Sequence, residues 1–420
     1  MVGEGVSEDA DGPGSPGPLG RGFWQLWSAS TLSNLADGIV KIALPLVAVT
    51  LTDSPALVAG VGVAVTLPWL LFALPAGALA DRVDRRRAML AANAVRATSL
   101  VAMVVAVLLG SDTIWVLYAV ALFVGTAETI HDTSAQSILP QIVPRQQLSR
   151  ANGRLYATEL TANEFIGPPL GGLLVAVGAA TAFASPAALW VVAVGMLLLL
   201  RGNFRVPRKH KTSLGADVAA GLRFLWRQNL LRTLAVMTGL FNVATNATFA
   251  VFVLYAVGPN SALGLSEVGY GVLFAAIAGG ALGGSLVAER VEKHLGRART
   301  LGVGILGGAL IVTAPAVTAA PTLIALGFFF GGTGMALFNV VAVSLRQSIT
   351  PDHILGRVNS GYRLFGWGTR PLGAAIGGLV AEAFGLRAVF GFASALILLT
   401  LVGMVCITDT AIAAAEESSD

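Results

Sequence analysis

The chain has 420 residues, of which 55% are hydrophobic and only 12% charged, with a formal net charge of +4. A soluble domain carries roughly 25% charged residues. Half that share, with a mean hydropathy of +0.76, excludes an ordinary water-soluble fold and points into the bilayer. The apolar runs do not alternate every second residue, which argues against the strands of a membrane barrel, and the single cysteine, Cys406, excludes an internal disulfide or cysteine metal cluster.

In chain order, residues 1–20 are rich in Gly, Pro, Ser and acids without a basic start, and read as a disordered tail, not a signal peptide. Cutting the rest at Gly, Pro and charge clusters gives twelve candidate spans, each close to the ~20 residues that cross a bilayer core. They are residues 23–51, 55–80, 88–110, 114–138, 152–178, 182–201, 230–257, 265–288, 299–320, 322–345, 358–384 and 387–408. The fold class is therefore an all-α membrane protein of twelve transmembrane helices in two pseudo-symmetric six-helix bundles. The expected domains are a first bundle over 21–201, a linker over 202–229, a second bundle over 230–408 and a C-terminal tail over 409–420. In the linker, Leu214, Val218, Leu222 and Leu225 recur at helical spacing and predict an amphipathic helix resting on the membrane surface.

With the N-terminus in the cytoplasm, nearly every flanking arginine falls on that side: Arg21, Arg82, Arg85 to Arg87, Arg145, Arg150, Arg154, the linker group, Arg290, Arg297, Arg299, Arg346 and Arg357. Only Arg387 falls outside. That asymmetry is what the positive-inside rule predicts. It places both termini in the cytoplasm and explains the basic pI without nucleic acid.

The halves echo each other. Asp81-Arg82-Val83-Asp84-Arg85 matches Glu289-Arg290-Val291-Glu292-Lys293 at a shift of 208, and Pro144, Leu148, Arg150, Asn152, Gly171, Gly178 and Phe183 recur as Pro351, Leu355, Arg357, Asn359, Gly378, Gly385 and Phe390 at a shift of 207. A parallel repeat of this kind puts a substrate path between two bundles.

Gly77-Ala-Leu-Ala-Asp81-Arg82-Val-Asp84-Arg85-Arg86 resembles the loop between spans two and three of the major facilitator superfamily, with Asp84 where glycine is usual. Gly167-Pro168-Pro169-Leu170-Gly171-Gly172 is similar to the fifth-span motif of the superfamily's exporters. Gly221 to Arg232, with Asn34 to Gly38, resembles the enterobactin-exporter and macrolide-efflux branch. The resemblance covers roughly residues 20–410. It implies a gate on the cytoplasmic side built from Gly77, Asp81, Arg82, Arg85, Arg86 and Asp132, and a kinkable, tightly packed fifth span at Gly167, Pro168, Gly171 and Gly172. Positive-inside charge alone would account for Arg85 to Arg87, but not for Asp81.

Ionisable groups at bilayer depth are costly unless they pair or line water. Asp37 and Lys41 stand at i, i+4 and could pair. Glu128, His131 and Asp132 share a helix face, and Glu159, Glu164, Arg96, Arg363 and Arg370 complete the set. In the family, spans one, four, seven and ten line the cavity. That implies Asp37 and Glu128 as proton-coupling carboxylates and Asn242, Asn246 and Asn339 as substrate contacts. Arg370 either binds an anionic substrate or neutralises the acids.

Gly302-Val-Gly304-Ile-Leu-Gly307 spells a dinucleotide fingerprint inside an apolar span, where helix packing explains it. No phosphate loop, nucleophile elbow or paired-histidine motif occurs, so neither an enzyme nor a cofactor is expected. The reading is a secondary transporter in the bacterial inner membrane, expected as a monomer, exporting a hydrophobic or amphipathic small molecule against protons. The alternatives are an importer or proton symporter, a uniporter, or a non-transporting receptor or scaffold. They differ in transport direction against a pH gradient and in whether the cavity charges are dispensable.

Overall fold

A computed structural model describes residues 18–80, 83–202, 204, 214–258 and 261–417; most of the expected N-terminal tail lies outside them. Those residues fold as helices joined by short connections, with one isolated bridge between Val257 and Leu265. The first half holds α1 (Arg21–Leu51), α2 (Pro55–Ala80), α3 (Arg85–Leu108) and α4 (Ile114–Ile142). Next come α5 (Leu148–Glu159), which passes through a wide π-type segment (Leu160–Ile166) into α6 (Gly167–Val177), and α7 (Ala179–Leu199). After α8 (Leu214–Arg227), the second half holds α9 (Asn229–Ala256), α10 (Glu267–Leu295), α11 (Arg297–Val317), α12 (Pro321–Ile349), α13 (Asp352–Gly368), α14 (Arg370–Phe384) and α15 (Leu386–Thr400). A short C-terminal helix, α16 (Asp409–Glu417), follows.

With no water at bilayer depth, the backbone must satisfy itself, and uninterrupted helices do so. Among the described residues, eleven segments are long and apolar enough to cross a membrane. The twelfth is α13 and α14 end to end, interrupted at Thr369. Large apolar side chains such as Leu286 and Phe384 stand 73% and 78% exposed, a belt that only lipid would cover. Side-chain caps start several helices: Thr113 accepts from Val116 N, and Ser266 from Gly269 N.

The packing is duplicated. In the first half α2 packs on α4, α3 on α4 and α7, and α1 on α6 and α7. In the second half α10 packs on α12, α11 on α12 and α15, and α9 on α14 and α15. Gly178 and Gly385, matched by the sequence repeat, both take positive φ, 151° and 86°, at equivalent turns. The two interrupted spans are also equivalent, since Thr369 falls opposite the π segment at the 207-residue shift. Proline just beyond each interruption, at Pro168 and Pro371, removes a backbone donor and fits these departures from regular α-helix.

The halves meet along two seams, α2 against α14 and α6 against α10. Both lie toward the face opposite the arginine-rich one. There Ser54 donates to Glu382 at 3.1 Å, and a Cβ on Gly378 would lie 2.7 Å from the Ala59 methyl. A Cβ on Gly271 would meet the Pro168 carbonyl carbon at 2.8 Å, and one on Gly172 the Glu267 carbonyl carbon at 2.8 Å. Glycine at these positions lets backbone touch backbone.

Helix α8 differs from the expected surface helix. It docks on α13, with Leu225 fully buried and Gly221 pressed against the Arg357 backbone. A tertiary surface of the second bundle, rather than the lipid interface alone, covers this part of its apolar face. Gly304 and Gly307 fit close to Gly334 of α12, so that glycine run packs helices.

Candidate functional site

The first bundle carries a buried charge cluster. Arg96 of α3 is fully buried, and its Nη1 lies 3.4 Å from both carboxylate oxygens of Asp37 on α1. Its guanidinium stacks over the Trp190 ring of α7, 5.4 Å from the centroid. One turn away, Ser33 donates to Asn93 at 3.1 Å, joining the same two helices. Two nitrogens of Arg96, Nε and Nη2, have no hydrogen-bond partner. Its charge is therefore compensated chiefly by Asp37, and an unpaired buried charge is costly.

The i, i+4 pairing of Asp37 with Lys41 does not form. Lys41 reaches across to Glu164 of the π segment at 2.6 Å, so the two groups divide between different partners. On α4, His131 Nδ1 lies 3.2 Å from Asp132, and its buried Nε2 has no partner. Glu128 makes no ion pair among the described residues, yet stands within Coulombic reach of Asp37, Asp132, Arg96 and Arg370. From the sequence, Asp37 was expected with Lys41, Glu128 on one face with His131 and Asp132, and Arg96 alone; Ser33, Asn93 and Trp190 carried no signal that pointed to this cluster.

At the expected gate, Asp81 and Arg82 lie outside the described residues, and Gly77 falls within α2. Arg85 donates to the Ser137 carbonyl on α4 at 2.6 Å. Arg86 donates to the Leu197 and Leu198 carbonyls at 2.7 and 2.9 Å, at the end of α7. A cation at a helix C-terminus meets carbonyls without helical partners and the negative end of the dipole. Arg86 thus holds the end of a helix and not a carboxylate, and the described polar contact of Asp132 is with its neighbour His131 at 3.2 Å.

Asp84, where the family usually has glycine, has a clear role: one oxygen caps α3 by accepting from Arg87 N at 3.0 Å, the other accepts from Phe204 N at 2.8 Å. In the second copy, Lys293 pairs with Glu289 on its own exposed helix face. The longer reach belongs to Arg297, which pairs with Glu292 at 3.1 Å and also with Glu416 of α16.

The fifth-span glycines join three helices. Gly167 rests on Gly38 and Gly171 on Ile39, both in α1, while Gly172 faces α10 of the other half; Pro168 meets Gly271 there. The motif therefore sits in a seam between bundles.

Residues 16–420 match the profile of a family described as transmembrane secretion effector. The chain belongs to that family, within the major facilitator superfamily. Its sequence is 28% identical to the multidrug efflux pump Tap of Mycolicibacterium fortuitum, over 86% of this chain and 90% of Tap. It is 27% identical to the enterobactin exporter EntS of Salmonella typhimurium, over 80% of each chain. Among solved structures, the nucleoside transporter NupG superposes with a TM-score of 0.74 at 14% identity, covering 93% of this chain and 100% of NupG. A bacterial homologue of the iron transporter ferroportin in an inward-facing state gives 0.74 at 16%, covering 93% and 99%. These likenesses establish the major facilitator fold.

In the second half of this secretion-family chain, the expected cavity residues separate. Asn246 turns back to its own helix, its Nδ2 donating to the Asn242 carbonyl at 2.8 Å. Asn339 is exposed and makes no hydrogen bond among the described residues. Arg370 opens α14 at the break in the eleventh span and lies over Trp367.

Proposed function

We propose that this chain is a secondary active exporter of hydrophobic or amphipathic small molecules, driven by protons and working by alternating access of its two bundles. The observation that carries the reading is the Asp37–Arg96 pair at 3.4 Å, buried beside the unpaired Glu128 within a chain of the secretion family. A carboxylate that neutralises a buried guanidinium holds α1 and α3 together while ionised. Protonation removes that attraction and leaves Arg96 without its counter-charge. Asp37 and Glu128 are the groups we assign to coupling, because binding a proton and holding a cation compete at one carboxylate. The names of Tap and EntS, an efflux pump and an exporter, support outward movement. The arginine-rich face supports a cytoplasmic position for both termini, and the bacterial relatives support the inner membrane. The unit is a monomer, acting by binding and release and not as an enzyme.

The test uses everted vesicles or proteoliposomes with an imposed pH gradient and a fluorescent lipophilic dye. The native chain is expected to concentrate dye on the acid side. Asp37→Asn and Glu128→Gln are expected to lose gradient-driven accumulation while keeping dye exchange down its gradient. If both variants still pump uphill, the assignment of the coupling groups fails; accumulation on the alkaline side would establish import.

A further inference from the structure

The break in the eleventh span gathers three side chains. Arg363 lies over the Trp367 ring, 4.4 Å from its centroid, and Arg370 lies over the same ring at 5.3 Å. Trp69 of α2 meets that ring edge-on at 4.2 Å between centroids, so the cluster spans both bundles. Arg363 also donates to Gln136 of α4 at 3.0 Å.

Both guanidinium groups remain available. Among the described residues, neither has a carboxylate within the 4.0 Å of an ion pair. Asp132 lies within electrostatic range of Arg363, and Glu128 and Glu164 within range of Arg370, without an ion-pair contact. The other cations at this depth are committed, Arg96 to Asp37 and Lys41 to Glu164. Glu128, an acid without an ion pair, thus stands within electrostatic range of Arg370, and the second bundle holds two guanidinium groups without carboxylate partners over one indole. An unpaired guanidinium at membrane depth is costly unless it faces water or a ligand, and residues of this kind mark substrate paths.

A molecule with a single charge is poorly served here. A cation near Glu128 meets the guanidinium groups of Arg370 and Arg96, and an anion near Arg370 meets Glu128 and Glu164. Such like-charge opposition selects against both. A molecule carrying both charges satisfies both groups, and its ring packs on the half-buried Trp367, which the buried Trp69 backs edge-on.

We propose that the preferred substrates are amphoteric aromatic molecules, with the acidic group on Arg370 and Arg363, the ring on Trp367 and the basic nitrogen toward Glu128. This rests on the reading of the chain as a carrier of small molecules and narrows the class it carries.

The full-length protein in nanodiscs is titrated calorimetrically with naphthylmethylamine, naphthylacetate and naphthylalanine, which share a ring and differ in charge. Naphthylalanine is expected to bind about tenfold or more tighter than either singly charged probe, the effect of one additional charge-assisted contact. Arg370→Gln is expected to erase its advantage over the amine, and Glu128→Gln its advantage over the acid. Arg370→Lys, which keeps the charge and guards against misfolding of the glutamine variant, is expected to retain part of the preference. Equal binding of amine and naphthylalanine, indifference to Arg370→Gln, or no binding of any probe would overturn the proposal. Dye transport by the same protein separates the two readings. Charge preference without proton-driven movement keeps this inference and sinks the exporter reading, whereas movement without preference does the reverse.

Discussion

Asp84 shows how one side chain can take two local tasks. It caps α3 and receives the Phe204 amide from the segment after the sixth span, tying that segment to the loop between spans two and three. Asp84→Ala is expected to lower stability by about 1 kcal/mol for the cap alone, read as a lower unfolding temperature in detergent, with Asp84→Asn between. An unchanged melt for the alanine variant would remove this role. Residue types at depth were visible in the sequence, but their partners were not. Spacing offered Lys41 to Asp37, whereas Lys41 reaches Glu164 123 positions away and Asp37 meets Arg96 59 positions away. Helical spacing reports neighbours on one cylinder, and these pairs are set by which cylinders touch. Glu416 carries a pH prediction. A hydrogen bond from Ser348, then Arg297, holds its carboxyl below its ordinary 4.5. Its contribution to docking α16 is therefore complete above about 4.5 and lost as pH falls through the lowered folded value. Amide protection factors over Asp409–Glu417, referred to the intrinsic exchange rate at each pH, should hold from pH 8 to 5 and fall only in more acid solution, while Glu416→Gln should lower them throughout. Loosening of the native helix near neutrality would contradict the assignment.

Among the elements, existence and order were legible because apolar runs near 20 residues have few meanings in a chain this poor in charge. The predicted ends fall within about four residues for most spans; span eight ends seven residues early, span eleven starts six late, and span twelve is drawn eight beyond the end of α15. A kinkable fifth span was expected at Gly167 to Gly172, but the form and place of the two interruptions were not legible. A π turn at Leu160–Ile166 and a stop at Thr369 depend on how carbonyls register against prolines and neighbouring helices, which hydropathy does not encode. The C-terminal tail likewise contains a docked helix: Ile412 is buried and Asp409 accepts from the Ala298 amide at 3.2 Å. The seam glycines predict a clear phenotype. Gly172→Leu or Gly271→Val would push a side chain into opposing backbone and part α6 from α10. In a Cys406→Ser background with Asn246→Cys as reporter, either change should increase labelling by a membrane-impermeant maleimide from the face opposite the arginines. Unchanged labelling would mean that the seam does not close that side.

At the scale of the molecule, duplication reaches beyond the spans into the ties at their ends. In the first half the loop carboxylate Asp84 takes an amide from the segment after span six. In the second half the segment after span twelve supplies the carboxylate, Asp409, and the first turn of α11 supplies the amide. Donor and acceptor have exchanged sides while the tie persists, which residue-by-residue matching of the repeat cannot reveal. The two seams have a mechanical consequence. A contact made by interlocked side chains must change rotamers before it parts, so its barrier grows with every tooth. The α6–α10 seam presents smooth backbone at Gly172 and Gly271. It can separate and re-form as a rigid slide, and its strength depends on how much of its length is in contact. A small lateral force from lipid or cargo acts on the whole length at once, so the closed side behaves less like a lock than like two wet plates.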